Sequence, residues 1–307
     1  MRRSGMDRAS AARFVALGAI WGSSFLFIKV ALEGLAPAQV VLGRLLAGAI
    51  VLIAAVAVRH GTWPREPRMW ANLALLAMVG NVLPFFLFAW GEQRVGSALA
   101  GVLNAATPLL TMLIGLALLP EERATLVRFV GLVAGFAGVV VILAPWEVGA
   151  GAGALSGKLA CLGAATCYGV SFTYTRRFVT GRGYGSSELA ASQILLASAM
   201  ALVLVPVVAP DGPHLHGSVV AAVLALGAGG TGVAYLLYYR LIADVGATTA
   251  SMVTYVVPVV AVVLGVVVRD EPLTWHMVVG AVVVIVAVAL AEGRAAAPRT
   301  IPAVSSP

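Results

Sequence analysis

Long apolar stretches alternate along this chain with short polar gaps that hold most of its charge. Charge-free runs cover residues 14–28, 45–58, 69–91, 95–120, 129–146, 159–175, 189–210, 212–239, 245–268 and 272–291. A helix needs about 20 mostly apolar residues to cross the hydrocarbon core of a bilayer, so each run predicts one span. The first continues past Lys29 to Leu32, and the second reaches back through Arg44 to Pro37. The gaps hold turn-forming segments such as "GTWPREP", "TGRGYGSS" and "APDGPHLHG". The pattern predicts an all-α integral membrane protein with ten transmembrane helices.

Composition agrees and removes other classes. The chain is 61% hydrophobic and 11% charged, with a mean hydropathy of +0.99, whereas soluble domains are about half apolar and a quarter charged. The lipid bilayer is therefore the expected solvent. The net charge of +7 is scattered over the gaps, which argues against a nucleic-acid partner. Cys161 and Cys167 share one apolar run and read as packing residues. No nucleophile, base and acid come together in the sequence, so no enzyme, cofactor or metal centre is expected. His214 and His216, two apart in a loop, are a weak metal signal. The segment "MRRSGMDRAS" is read as the cytoplasmic anchor of a retained first span. With the N-terminus inside, cytoplasmic segments carry 15 Lys and Arg against 3 outside. By the positive-inside rule both termini are cytoplasmic. An Arg-to-Lys ratio of 18 to 2 suggests GC-rich bacterial coding, hence a bacterial inner membrane.

The chain also repeats itself. "VGSALAGVLNAATPLLTMLIG" (95–115) aligns with "VGATTASMVTYVVPVVAVVLG" (245–265) at an offset of 150. Glu122 and Thr125 meet Glu271 and Thr274 at 149; Gly22, Ser24 and Phe25 meet Gly169, Ser171 and Phe172 at 147; Arg44 meets Gln193. Two five-helix units follow, 12–145 and 157–291, with a tail at 292–307 expected to be disordered and cytoplasmic. Five spans is an odd number, so the second unit enters the membrane from the opposite side. Two inverted five-helix repeats are the architecture of secondary transporters, with substrate near the midplane.

The segments "WGSSFLFIK" and "YGVSFTYTR", Arg44-Leu45-Leu46, the Pro108 and Pro258 helices and the "Glu-x-x-Thr…Gly" starts of spans 5 and 10 carry a family likeness. The chain resembles the EamA-type branch of the drug/metabolite transporter superfamily over nearly its whole length. The resemblance implies a ten-span metabolite exporter or permease working by alternating access, with no particular substrate.

Candidate site residues come from helix breaks and buried polar groups. Pro108 frees the carbonyl of Asn104, and Pro258 that of Thr254 beside Tyr255. With Thr107 these form a symmetric pair of substrate contacts, or else two packing kinks. Ser24 and Ser171 are candidate cavity hydroxyls, or bond their own helices. Asn81 and Phe85 on span 3, and Tyr235 on span 8, are candidate cavity walls. Trp90 and Tyr239 are assigned to the interfacial belt, and Lys29 and Arg176 to snorkelling at span ends. Arg44, seven residues into span 2, needs a partner: helix-end carbonyls, Glu33, or a substrate carboxylate. Glu92 and Glu188 fall at span ends, so no carboxylate is expected deep in a span. The small multidrug members of the superfamily it resembles exchange cations for protons at an intramembrane carboxylate, so the resemblance disfavours a cationic drug and favours a neutral, zwitterionic or anionic amino-acid-like substrate. A multidrug carrier, and a membrane sensor or assembly partner without transport, are the alternatives.

Overall fold

The computed structural model describes residues 7–119, 125–144, 152–209, 211–245, 250 and 253–293, and its regular elements are helices. Helix α1 is Arg8–Ala31. Asp7 caps it, its Oδ1 accepting the Ser10 N–H at 2.8 Å. These hydrogen bonds from Ser10 hold the Asp7 carboxyl below the ordinary carboxylate value. A lowered value means that the cap is present above the ordinary range and is lost as pH falls through the lowered one. Acid titration followed by amide NMR is expected to release the Ser10 N–H before the rest of α1.

Helix α2 (Pro37–Val58) starts on proline, where a missing N–H costs nothing. Helix α3 (Pro67–Glu92) contains a π-helical turn at Met78–Val82. Helix α4 (Ser97–Leu118) is broken at Ala105–Ala106, with Pro108 in the first turn of its second piece. Helix α5 (Leu126–Leu143) ends on Ala144 in the left-handed region, φ 42°. Helices α6 (Ala152–Phe178) and α7 (Ser186–Val208) follow. Helix α8 runs through Gly217–Leu224, a π-helical stretch at Ala225–Val233, and Ala234–Val245. Helices α9 (Val253–Arg269) and α10 (Trp275–Gly293) complete the described chain. The segments 246–249 and 294–307, the latter most of the predicted tail, lie outside the described residues.

Among the described residues seven helices, α1 to α5, α7 and α8, are long and apolar enough to cross a membrane. Helices α9 and α10 are apolar over shorter stretches, Val253–Arg269 and Trp275–Leu290. Helix α6 has 27 residues but carries Lys158, Tyr168, Ser171, Thr173 and Tyr174, which lower its apolarity. Large apolar side chains such as Ile50, Phe129, Val203, Val207 and Val267 face outward. A soluble monomer rarely exposes so much apolar surface, and here it is suited to lipid.

The main contacts run between the halves: α1 on α9, α2 on α7 and α8, α3 on α6 and α7, α4 on α6 and α9, α5 on α10. Glycines permit the close ones. A Cβ on Gly227 would lie 2.6 Å from the Arg44 carbonyl oxygen, and one on Gly22 would lie 2.9 Å from that of Val257. Gly227→Val therefore forces α8 away from α2. The expected loss is about 1–3 kcal/mol, visible as a lower melting temperature in detergent. At the two ends of α1, ion pairs join the halves: Arg13 to Asp244 at 2.6 Å and Glu33 to Arg269 at 2.7 Å.

Candidate functional site

Where α2, α3, α7 and α8 meet, polar side chains gather in an otherwise apolar interior. Arg44, 8% exposed, donates from Nε to Thr231 Oγ1 at 3.1 Å. Its guanidinium lies over the Phe85 ring, 3.8 Å from the centroid, a favourable place for a cation out of water. Gln193 on α7 donates from Nε2 to Asn81 Oδ1 at 2.6 Å. Asn81 Nδ2 in turn donates to the Tyr235 hydroxyl at 3.4 Å. Asn81 and Thr231 are fully buried.

These contacts come in equivalent pairs. Arg44 and Gln193 occupy the same place in the sequence repeat, and so do Asn81 and Thr231 at an offset of 150. The bond from Arg44 to Thr231 is thus matched by the bond from Gln193 to Asn81. Each acceptor sits in a π-helical segment beside a glycine, Gly230 or Gly80. A Cβ on Gly230 would lie 3.1 Å from Ser24 Oγ and 4.0 Å from Arg44 Nη2; one on Gly80 would lie 2.5 Å from Ser171 Oγ and 3.3 Å from Gln193 Nε2. Each bare glycine lets a serine from the first helix of one half approach the third helix of the other. The wide π turn and the absent Cβ expose backbone that a regular helix would cover. One such carbonyl is taken: Trp21 Nε1 donates to Gly230 O at 3.2 Å.

Aromatic rings wall the cluster. Phe25 meets Phe88 edge-on at 5.3 Å, Phe88 meets Tyr168 at 6.1 Å, and Trp21 meets Tyr238 at 5.3 Å. Phe85 and Tyr235 are equivalents at the same offset of 150. The arrangement gathers hydrogen-bonding groups from both halves around one fixed positive charge.

The structure brings Ser24, Arg44, Asn81, Phe85, Ser171 and Tyr235 together. It adds Thr231 and Gln193, which sequence reasoning did not assign to a site. The available signal was the register that sets Gly80-Asn81 on Gly230-Thr231. Asn104, Thr107, Pro108, Thr254, Tyr255 and Pro258 belong instead to α4 and α9, which pack on each other. The Thr107 hydroxyl donates to Asn104 Oδ1 at 3.2 Å, within α4. Tyr255 packs against the main apolar core, and Pro258 is buried inside an unbroken α9. Ser24 bonds back to its own helix, its hydroxyl donating to Ile20 O at 3.1 Å.

Two expectations are corrected. Glu33 is not the partner of Arg44; it pairs with Arg269. Lys29 does not snorkel: its ammonium donates to the main-chain carbonyls of Glu92 and, at 2.8 Å, Val95, closing the end of α3. Glu92 closes α3, at the span end where the sequence places it, and is fully buried there because α6 covers it.

Comparison with known proteins places the chain in a wider group. At 29% identity the chain matches the uncharacterized inner membrane transporter YedA of Escherichia coli (strain K12), over 81% of this chain and 79% of YedA. An uncharacterized transporter of Archaeoglobus fulgidus is 24% identical over 87% of this chain and 93% of its own length. A solved crystal structure shares the fold at a TM-score of 0.66 and 22% identity, covering 94% of this chain and 97% of its own. Residues 10–144 and 155–292 each match the profile of the EamA-like transporter family. With nearly the whole chain matched, this multi-pass membrane protein belongs to the EamA-like transporter family.

Proposed function

We propose that the chain is a secondary carrier exporting a small amino-acid-like metabolite, neutral, zwitterionic or anionic, by alternating access. Its working parts are two inverted five-helix halves, with both termini in the cytoplasm of a bacterial cell. The observation that carries this reading is the matched pair of buried bonds, Arg44 to Thr231 and Gln193 to Asn81. The helix contacts support it: exchanging each helix for its partner five places on leaves the set of neighbours nearly unchanged. Two halves that can trade conformations convert an outward opening into an inward one. The ion pairs at the two ends of α1 fit gates that open one at a time. Arg44 has only the neutral Gln193 as its equivalent, so the site carries one unmatched positive charge, suited to a carboxylate.

The test is exchange of radiolabelled amino acids by the purified chain in liposomes. Asn81→Ala removes the bonds to Gln193 and Tyr235. Two neutral bonds of about 1 kcal/mol each predict a fall of about tenfold or more in uptake at low solute concentration. Unchanged uptake in a folded Asn81→Ala chain removes the site from the transport path.

A further inference from the structure

Glu92, the last residue of α3, is fully buried, and neither of its carboxyl oxygens has a hydrogen-bond partner. Charged groups surround it but are engaged elsewhere. Lys29 on α1 donates to the main-chain carbonyl of Glu92 and to that of Val95. Arg44 on α2 is held by Thr231 and the Phe85 face. Glu271, before α10, accepts from Ser97 and Ala98. Helix α6 presents the neutral thiol side: a Cβ on Gly91 would lie 2.7 Å from Cys161 Sγ. An ionised carboxylate without donors is strongly disfavoured in such surroundings. A carboxylic acid is tolerated, and opening of this end of α3 to water would let it ionise. In the repeat register of 150 the equivalent position is Ile242. The acid therefore exists once, in one half, as a single coupling site requires.

We propose that Glu92 is the proton seat of the carrier described above, an inference that rests on the transport reading. Glu92 takes a proton from water on one side of the membrane. It carries the proton as a carboxylic acid through the closed arrangement seen here and returns it to water on the other side. As the proton leaves, Lys29 turns from the main-chain carbonyls to the carboxylate of the same residue, so the anion is balanced where it forms.

Two measurements test this. Difference infrared spectra of the full chain in liposomes, stepped from about pH 5 to about pH 9, follow protonated carboxyl groups. The wild type is expected to show a carboxyl band that titrates in this range, absent in Glu92→Gln and restored in Glu92→Asp. A Glu92 band that does not titrate overturns the proposal. Uptake of radiolabelled amino acids under an imposed gradient of one pH unit supplies the second readout, with up to about tenfold accumulation expected for one proton per solute. Glu92→Gln is expected to lose that accumulation, and Glu92→Asp to keep it. Accumulation by folded Glu92→Gln equal to the wild type overturns proton coupling alone. A wild type that moves no solute at any pH overturns the carrier reading and the coupling with it.

Discussion

Arg44→Gln is expected to keep the fold and lose the grip on carboxylates. Glutamine already stands at the equivalent position, 193, and bonds Asn81 there. A glutamine at 44 can bond Thr231 in the same way, leaving two neutral contacts where one was charged. A hydrogen bond to a charged group contributes about 1.5–3 kcal/mol. The KM for a carboxylate-bearing solute should therefore rise about tenfold to a hundredfold, with less change for an uncharged solute. Arg44→Lys tests geometry at constant charge. A compact ammonium cannot lie flat on the Phe85 ring as the guanidinium does at 3.8 Å, so it should recover part of the affinity. Counterflow kinetics on the three proteins measures both effects. Equal KM values in Arg44→Gln and wild type would leave Arg44 a purely structural role.

The second large effect lies away from the site. The Glu271 carboxylate accepts from Ser97 N–H, Ser97 Oγ and Ala98 N–H, each at 2.8 Å. The two N–H groups are the first donors of α4, unsatisfied by the helix itself, and the anion also meets the positive end of the helix dipole. Glu271→Ala abandons all three bonds. Charge-assisted bonds are each worth about 1.5–3 kcal/mol, discounted here because Glu271 is half-buried and water can replace it. A loss of about 3 kcal/mol is expected, read as a marked drop in melting temperature in detergent. Glu271→Gln keeps an acceptor without the charge and should fall between. A melting temperature unchanged in Glu271→Ala would mean that water serves the start of α4 equally well.

The helices were legible because lipid admits only long apolar runs, and among the described residues seven of them are long and apolar enough to span. Arg44 stood out by depth alone. Its partner did not: Thr231 is one polar residue in a glycine-rich run, and only folding lays that run across α2. Glu92 was placed at the end of its span, where the structure has it, but its burial was hidden for a similar reason. A charge that ends a span is expected to face water, but α6 and the Lys29 side chain cover that end here. The prolines misled in another way. Pro108 sits where α4 breaks, whereas α9 continues through Pro258, and a membrane helix can continue through proline where surrounding groups re-satisfy the freed backbone. The equivalence of the two positions in sequence did not make them equivalent in shape.

The contact between Arg44 and Thr231 spans 187 residues of chain, and that separation has a consequence for biosynthesis. The ribosome delivers α2 to the lipid long before α8 exists. During that interval the guanidinium has no hydroxyl to bond, and insertion of an arginine at a helix centre costs about 2.5–3.5 kcal/mol on the translocon scale. The surrounding aliphatic residues of α2 must carry it in, and the nascent first half waits with an exposed cation. Truncated chains ending before α8 should therefore be degraded quickly by membrane proteases, and insertases that shelter polar helices should matter most for this early stretch.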